Sequence, residues 1–107
     1  MEALVSGAKK GVMLSLPGIK LRSQELTPVD EGLLKASHYS DIQEVSKKKV
    51  VGVVGATQDY AIYVHEDLQA RHTTGQAKFL TTALKEREQK TIQIIKASIK
   101  KEMKNKT

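Results

Sequence analysis

The first 26 residues carry apolar side chains at intervals of mostly three and four. The positions that set this repeat are Ala3, Leu4, Ala8, Val12, Leu16, Ile19 and Leu26. Such spacing places the side chains on one face of a helix and predicts a helix over residues 2–26. Gly7 and Gly11 weaken the predicted helix, because glycine has a low helix propensity. Pro17 is expected to kink the helix or divide it in two, because proline donates no backbone hydrogen bond and clashes with the preceding turn.

The segment after residue 26 predicts a change of direction and then a short helical turn. The residue before Pro28 is disfavoured in the helical region, which ends the first helix. Thr27 or Asp30 can cap the new turn by accepting backbone N–H bonds. The side chains expected on its buried side are Leu33, Leu34 and Ala36.

The middle of the chain predicts three strands. Residues 37–45 alternate loosely between polar and apolar, residues 50–55 are rich in β-branched side chains, and residues 60–64 are aliphatic and aromatic. Polar turns at 47–49 and 56–59 separate them. Turns this short join neighbouring antiparallel strands, so the predicted sheet is an antiparallel meander.

Residues 65–75 are polar without a clear period and predict a loop. Thr73 and Thr74 can cap a last helix, predicted over roughly residues 76–104. This helix would be about 42 Å long at a rise of about 1.5 Å per residue, which is longer than one compact domain requires.

The far half of this last helix has an apolar stripe of its own, separated from the first by polar residues at 85–90. We expect it to pack on a neighbouring element or on another subunit. Removal of residues 92–107 is therefore expected to disturb assembly more than folding. The side chains predicted to form this assembly helix surface are Ile92, Ile95, Ile99 and Met103.

Together the elements predict an α+β fold, in which a small antiparallel sheet of three to four strands is flanked by an N-terminal helix and a long C-terminal helix. A length of 107 residues predicts one domain over residues 1–107. One phenylalanine and no tryptophan indicate a lean core, which favours stabilisation by neighbouring copies.

The net charge of +6 is distributed unevenly along the chain. Residues 85–107 carry eight basic side chains against three glutamates, whereas residues 1–84 carry ten against nine acidic ones. This asymmetry indicates an acidic partner, either nucleic acid or protein, or a solvated helix face. The possible contacts with DNA or an acidic partner are Lys96, Lys100, Lys101 and Lys104. A basic nucleic-acid-binding module using this helix is the alternative function, although aromatic residues make up only 4% of the chain and offer few stacking platforms.

Residues typical of catalysis are sparse. No cysteine is present, which excludes disulfides and thiolate ligands. His65-Glu66 begins like the zinc-protease helix motif, but Gln69 stands where its second histidine belongs. A metal site built from His65, Glu66 and His72 is the remaining option, and a hydrogen-bonded loop is the simpler interpretation. The sequence predicts no enzyme, no metal and no cofactor.

The beginning of the chain lacks the basic residues and long apolar stretch of a signal peptide. No apolar run approaches the roughly 20 residues that cross a bilayer. The sequence predicts a protein that is soluble where it is made.

Two segments resemble the phage neck, or head–tail joining, protein family, whose members are also called tail-completion or minor capsid proteins. Residues 27–37, TPVDEGLLKAS, resemble its Thr-Pro-Val-Asp-Thr-Gly-x-Leu-x-x-Ser signature. Residues 60–66, YAIYVHE, followed by 75–80, GQAKFL, are similar to its strand, variable loop and helix start. The resemblance covers about residues 27–84. The positions that carry it are Thr27, Pro28, Asp30, Gly32, Leu33, Ser37, Tyr60, Tyr63, Phe79 and Leu80.

The resemblance implies a structural virion protein without enzymatic activity. Such a protein is made in the host cytoplasm and lies at the neck, the head–tail interface. It assembles there as a homo-oligomeric ring that joins head to tail and lets DNA pass. Its implied partners are other connector, neck or tail proteins, with possible non-specific contact to DNA and none to a membrane.

Individual residues take roles within this picture. Pro28 and Gly32 are expected to fix the helix exit, and Asp30 to hold the turn by accepting backbone N–H bonds. Tyr60, Tyr63 and Phe79 are expected in the core. The loop from residue 65 to 75 is expected to contact partners, since binding residues concentrate on loops held by a rigid scaffold. Its candidate contact residues are His65, Glu66, Asp67, Arg71 and His72.

Overall fold

The computed structural model describes residues 2–28, 31–57, 60–65, 73–74 and 78–105. In chain order these form α1 (Glu2–Leu26), α2 (Gly32–Ala36), β1 (His38–Val45), β2 (Val50–Ala56), β3 (Tyr60–His65), β4 (Thr73–Thr74) and α3 (Lys78–Asn105). The predicted α+β fold is confirmed: an N-terminal helix, an antiparallel sheet and a long C-terminal helix.

Helix α1 continues through Pro17 without interruption, so the expected division of this helix in two is wrong. Pro17 is exposed, and the carbonyl of Met13 that it leaves without an intrahelical donor belongs to a residue that is 49% exposed. Water can therefore replace the missing hydrogen bond. The opposite face of α1 is anchored in the core by Ala8, Val12, Leu16 and Ile19.

The sheet has the strand order β1-β2-β3-β4 with antiparallel pairing throughout, which confirms the predicted meander. In the register, Ser40 pairs with Val54 and Val54 with Ile62. A bulge in β1 lies between Ile42 and Glu44. An extra residue there bends the edge strand and strengthens its twist.

Strand β2 is buried along its whole length, because both faces of the sheet are covered there. On one face, a Cβ atom added at Gly52 would meet the side chains of Val12 and Leu16 from α1. On the other face, a Cβ atom at Gly55 would meet the ring of Tyr39. The glycines let a helix and an aromatic ring approach the central strand closely.

The core lies between α1, the α1-facing side of the sheet and α3. Its buried members are Ala8, Val12, Leu16, Ile19, Val50, Val54, Ile62, Val64, Leu80, Ala83, Leu84 and Ile95. All of these side chains are aliphatic, as expected from a chain with few aromatic residues.

The junction between the sheet and α3 differs from the prediction. Thr73 and Thr74 pair with Ile62 and Ala61 as strand β4, so the prediction that they cap the last helix is wrong. Pairing satisfies backbone groups on the open side of β3 that a loop would leave to water. Helix α3 begins at Lys78, two residues after the predicted start.

Helices α1 and α3 lie antiparallel along the long axis of the molecule, which measures 52 × 20 × 19 Å. Their interface is the most extensive between any two elements of the described structure. It extends from the pair Gly7 and Ile99 to the pair Arg22 and Glu86.

Candidate functional site

The antiparallel helix pair gives the molecule two ends of different chemistry. The basic end is formed by residues 2–10, 44–50 and 96–104, and the signature end by residues 22–28, 31–38 and 78–87. At the signature end lie all the described residues of the stretch 27–37, called here the signature segment because it resembles the phage family signature. Each end collects side chains from three separate stretches of the sequence.

A buried serine–histidine pair lies within the signature end. Ser23 Oγ is 2.8 Å from His38 Nε2, and both residues are buried. His38 Nδ1 lies 3.0 Å from the carbonyl oxygen of Lys35 and 3.2 Å from that of Leu34. Carbonyl oxygens only accept, so Nδ1 carries the proton, and in the neutral ring Nε2 accepts from the Ser23 hydroxyl.

This pair ties elements together and has none of the access that catalysis needs. Burial lowers the pKa of His38 below its usual value, against the opposing effect of the two carbonyls, and the charge of Lys20 lowers it further. The imidazole is therefore neutral near pH 7. Ser23 is fully buried, so no substrate reaches its hydroxyl in this conformation.

Phe79, at the start of α3, packs against two aromatic rings at the signature end. Its ring centroid is 5.6 Å from that of His38 and 6.1 Å from that of Tyr60, within the range of favourable tilted contacts. Tyr60 and Phe79 are partly buried against the core, as expected from the sequence. The side chain of Tyr63 lies outside the described residues.

Two polar residues of the signature segment hold local structure. Thr27 is buried and its hydroxyl donates to the carbonyl oxygen of Ser23 at 2.8 Å. Ser37 donates to the carbonyl oxygen of Leu34 at 2.7 Å at the end of α2. Pro28 accepts a backbone bond from Glu31 at 3.0 Å, which closes the turn. Asp30, predicted to hold this turn, lies outside the described residues.

Two other residues of the stretch 27–37, Gly32 and Leu33, are exposed. Among the residues that the structure describes, none has an atom within 4 Å of a Cβ atom added at Gly32, so a close approach to any of them does not explain this glycine. Leu33 is 91% exposed, and α2 contains no buried residue. The prediction that Leu33, Leu34 and Ala36 form a buried side is therefore wrong, because the short helix projects away from the core.

Helix α1 adds further exposed apolar surface. Leu14 is 65% exposed and Leu21 is 58% exposed, and Pro17 lies exposed between them. Spacings of three and four residues place the three side chains on one face. This row points away from the core and forms a second apolar surface.

The far half of α3 packs on α1 of the same chain, which was one of the two alternatives left open by the sequence. Ile95 is buried and Ile99 partly buried against the core, while Ile92 is half-buried. Met103 is about half exposed. Ile95 and Ile99 therefore pack within the chain, and an assembly contact by Ile92 and Met103 stays a prediction.

Glycines in α1 make this helix pairing possible. A Cβ atom added at Gly7 would lie 2.5 Å from Cα of Ile99, and one at Gly11 would lie 2.6 Å from Cα of Ile95. The two backbones therefore touch, with no room for a side chain between them. From the sequence, both glycines were expected only to weaken the helix. Their spacing of four residues, continued by Ser15, was the available signal for a close helix contact.

The lysines predicted to meet an acidic partner are exposed on α3. Lys96, Lys100 and Lys104 follow one another at intervals of four, and Lys101 lies beside them. The structure brings them to the same end as lysines from α1 and from the β1–β2 turn, a neighbourhood that the sequence analysis did not identify.

The predicted partner-contact loop lies almost entirely outside the described residues. His65 ends β3, and Glu66, Asp67, Arg71 and His72 are not described. Among the residues that the structure does describe, no group of three or more histidine, aspartate or glutamate side chains is placed to hold a metal ion.

Comparison with protein-family models, with curated proteins and with solved structures finds no match for this chain. Within the described ranges, neither long helix has a stretch apolar enough to span a bilayer.

Proposed function

We propose that this chain is a structural subunit of a phage neck, which assembles as a ring between head and tail and lets DNA pass. The observation that carries the proposal is the state of Leu33, an apolar residue of the segment that resembles the neck family and is 91% exposed. A leucine this exposed buries little apolar surface within one chain. Contact with another protein gives it a role.

The surroundings of Leu33 agree with a contact surface. No atom of the described part of the chain lies within 4 Å of a Cβ atom added at the neighbouring Gly32, which leaves room there for another chain to approach the backbone. The short helix α2 is fastened to the core by His38, which accepts from Ser23 and donates to carbonyls of α2. A rigidly held projection with an apolar tip suits a repeated subunit contact.

A ring requires that two different surfaces of one chain meet in each contact. Leu33 on α2 and the row of Leu14, Pro17 and Leu21 on α1 are two separate apolar surfaces, and a head-to-tail ring would bury both. Other connector, neck or tail proteins would contact the remaining faces. The virion, at the head–tail interface, is the proposed location.

Leu33→Gln tests the assembly part of the proposal. We expect the wild type to form a high-mass species. The purified variant should keep the wild-type unfolding midpoint, because the side chain is exposed, and should lack that species. Mass photometry across a concentration series measures this. Thr82→Gln, an exposed position on α3, is the matched control and should assemble normally. Equal loss in both variants would contradict a specific contact at Leu33.

Antibody labelling of virions tests the location. Label at the head–tail junction is expected, and virions without label there would sink the neck assignment. Metal analysis of the purified protein tests the alternative that the chain is a metal-dependent enzyme with a site at His65, Glu66 and His72. Stoichiometric zinc would argue against a purely structural subunit.

A further inference from the structure

Lysines from three distant stretches of the sequence meet at the basic end. Two hydrogen bonds join the beginning of α1 to the end of α3: Ser6 Oγ to Glu102 at 3.3 Å and Lys10 Nζ to Glu102 at 2.9 Å. The β1–β2 turn lies against the same part of α1, where a groove of about 440 Å³ is lined by Lys9 and Lys47 among others. The lysines of this end are Lys9, Lys10, Lys47, Lys48, Lys49, Lys96, Lys100, Lys101 and Lys104.

This end holds the entire net charge of the chain. Its nine lysines face three glutamates, an excess of six, which equals the net charge of +6 of the whole sequence. The acidic members are Glu2, Glu44 and Glu102. Lys10 pairs with Glu102 at 2.9 Å and Lys49 with Glu44 at 3.5 Å. Three carboxylates cannot neutralise nine ammonium groups, so a positive potential extends from this end.

The arrangement of the lysines is regular. Lys96, Lys100 and Lys104 form a row at about 6 Å spacing along α3, on a side of the helix different from that of Ile95 and Ile99. Like charges at this spacing repel one another and destabilise a helix. A regular row of negative charges laid beside them would remove the repulsion.

The turn between β1 and β2 is built to present its lysines outward. Ser46 N donates to the carbonyl oxygen of Lys49 at 2.9 Å, and Ser46 Oγ accepts from the backbone of Lys48 and Lys49 at 3.3 and 3.2 Å. These bonds hold the backbone of the turn. Lys47 and Lys48 are both exposed.

We propose that the basic end binds the phosphate backbone of duplex nucleic acid without reading its sequence. Lysine acts as a point charge towards phosphate, whereas protein interfaces are depleted in lysine and enriched in arginine and aromatic residues. Residues 2–10, 44–50 and 96–104 contain no arginine and no aromatic residue. A surface without stacking platforms fits a duplex better than a single strand.

This proposal extends beyond the neck assignment and does not depend on ring formation. It also differs from binding by α3 alone, because the β1–β2 turn and α1 contribute to the surface. Neutralising the turn should therefore weaken binding as much as neutralising the helix row.

Fluorescence anisotropy with the full chain and a labelled DNA duplex of about 30 base pairs tests the proposal. Binding is expected in the micromolar range or weaker near physiological salt, and to be equal for two unrelated sequences. Its affinity should fall steeply between about 50 and 200 mM salt, because each neutralised phosphate adds about 0.9 to the slope of log affinity against log salt.

Matched double variants locate the surface. Lys47→Gln/Lys48→Gln in the turn and Lys96→Gln/Lys100→Gln on α3 should each reduce the salt slope by about 2 and weaken binding about tenfold or more near 0.1 M salt. Lys78→Gln/Lys85→Gln removes the same charge from exposed positions outside the basic end and should change the slope by less than about 0.5.

Three outcomes overturn the proposal. The first is no binding at about 50 mM salt, which would leave an acidic protein as the partner of this end. The second is an equal loss in all three double variants, which would reflect net charge alone. The third is loss with the α3 variant but not with the turn variant, which would confine binding to one helix.

Discussion

Helices α1 and α3 contact each other by different means at the two ends of the molecule. Near the basic end their backbones touch at Gly7 and Gly11, where no side chain fits between them. Near the signature end they are held apart by side chains: Arg87 lies against Gly18, and Arg22 pairs with Glu86 at 2.7 Å. One helix pair therefore combines a tight contact with an adjustable one.

The difference follows from the atoms that meet. A backbone-to-backbone contact has no rotatable group that could move aside, so it sets the separation and the register of the helices. The guanidinium group of Arg87 ends a long flexible side chain, and its Nε atom is buried without an acceptor among the described residues. Exposed charged pairs such as Arg22 with Glu86 add little to stability. The tight end presents the lysines, and the adjustable end presents the signature segment.

Removal of residues 92–107, which form part of the tight contact, should cause the largest loss of stability. It takes Ile95 and Ile99 away from α1, and each buried isoleucine contributes about 1.5–3 kcal/mol. We expect the free energy of unfolding to fall by about 4 kcal/mol, a large part of the 5–15 kcal/mol of a typical domain. Urea unfolding followed by far-UV circular dichroism measures it.

The control for this truncation is removal of residues 103–107 alone, which leaves both isoleucines in place and should change the midpoint little. A chain lacking 92–107 that unfolded at the full-length midpoint would contradict the packing within one chain. It would also restore the original expectation that this segment serves assembly more than folding.

Gly11→Ala and Gly18→Ala compare the two contacts directly. Both replacements gain about 1 kcal/mol of helix propensity. At Gly11 the new methyl group meets the backbone of Ile95, and overpacking costs typically about 1–3 kcal/mol, occasionally more. We expect a net loss of up to about 2 kcal/mol at Gly11, and no loss at Gly18, where the side chain of Arg87 can turn into solvent. Equal losses at both positions would contradict the distinction between the two ends.

Mild acidification should act on the signature end through His38, with the smallest of these effects. The pKa of His38 is lowered in the folded chain, so between that pKa and the ordinary value of about 6.5 the unfolded chain binds more protons than the folded one. The free energy of unfolding should therefore decrease from about pH 7.5 to about pH 5.5. His38→Gln should lower stability at pH 7.5 and show a flatter pH profile. Parallel profiles for the two proteins would show that His38 is not the titrating group.

Predictions that rest on neighbouring residues agreed closely with the structure. The bounds of α1 were predicted from its spacing, and those of α3 within two residues. Strands β1 to β3 followed from β-branched and aromatic residues between short turns. These signals are local: a period of 3.6 or 2 decides which side chains share a face, and turn residues decide where an element ends.

Predictions that depend on which element packs against a residue were less accurate. Leu33 was expected to be buried because it is apolar, yet its side chain is exposed and no described element covers it. Thr73 and Thr74 were expected to cap a helix, yet the open side of β3 pairs with them. The buried pair of Ser23 and His38 was not predicted at all, because nothing in the sequence indicates that the end of α1 meets the start of β1.

By itself, the sequence determined the elements, their amphipathic faces and the total charge, since these depend on residue types and their spacing. Only the tertiary structure decided that α1 covers Ile95 and Ile99, and that lysines from the β1–β2 turn join those of both helices. The physical reason is that Gly7 and Gly11 allow the helices to approach until their backbones touch, which sets the antiparallel register. That register cannot be read from the residues of one helix alone, and it decides which charged side chains become neighbours.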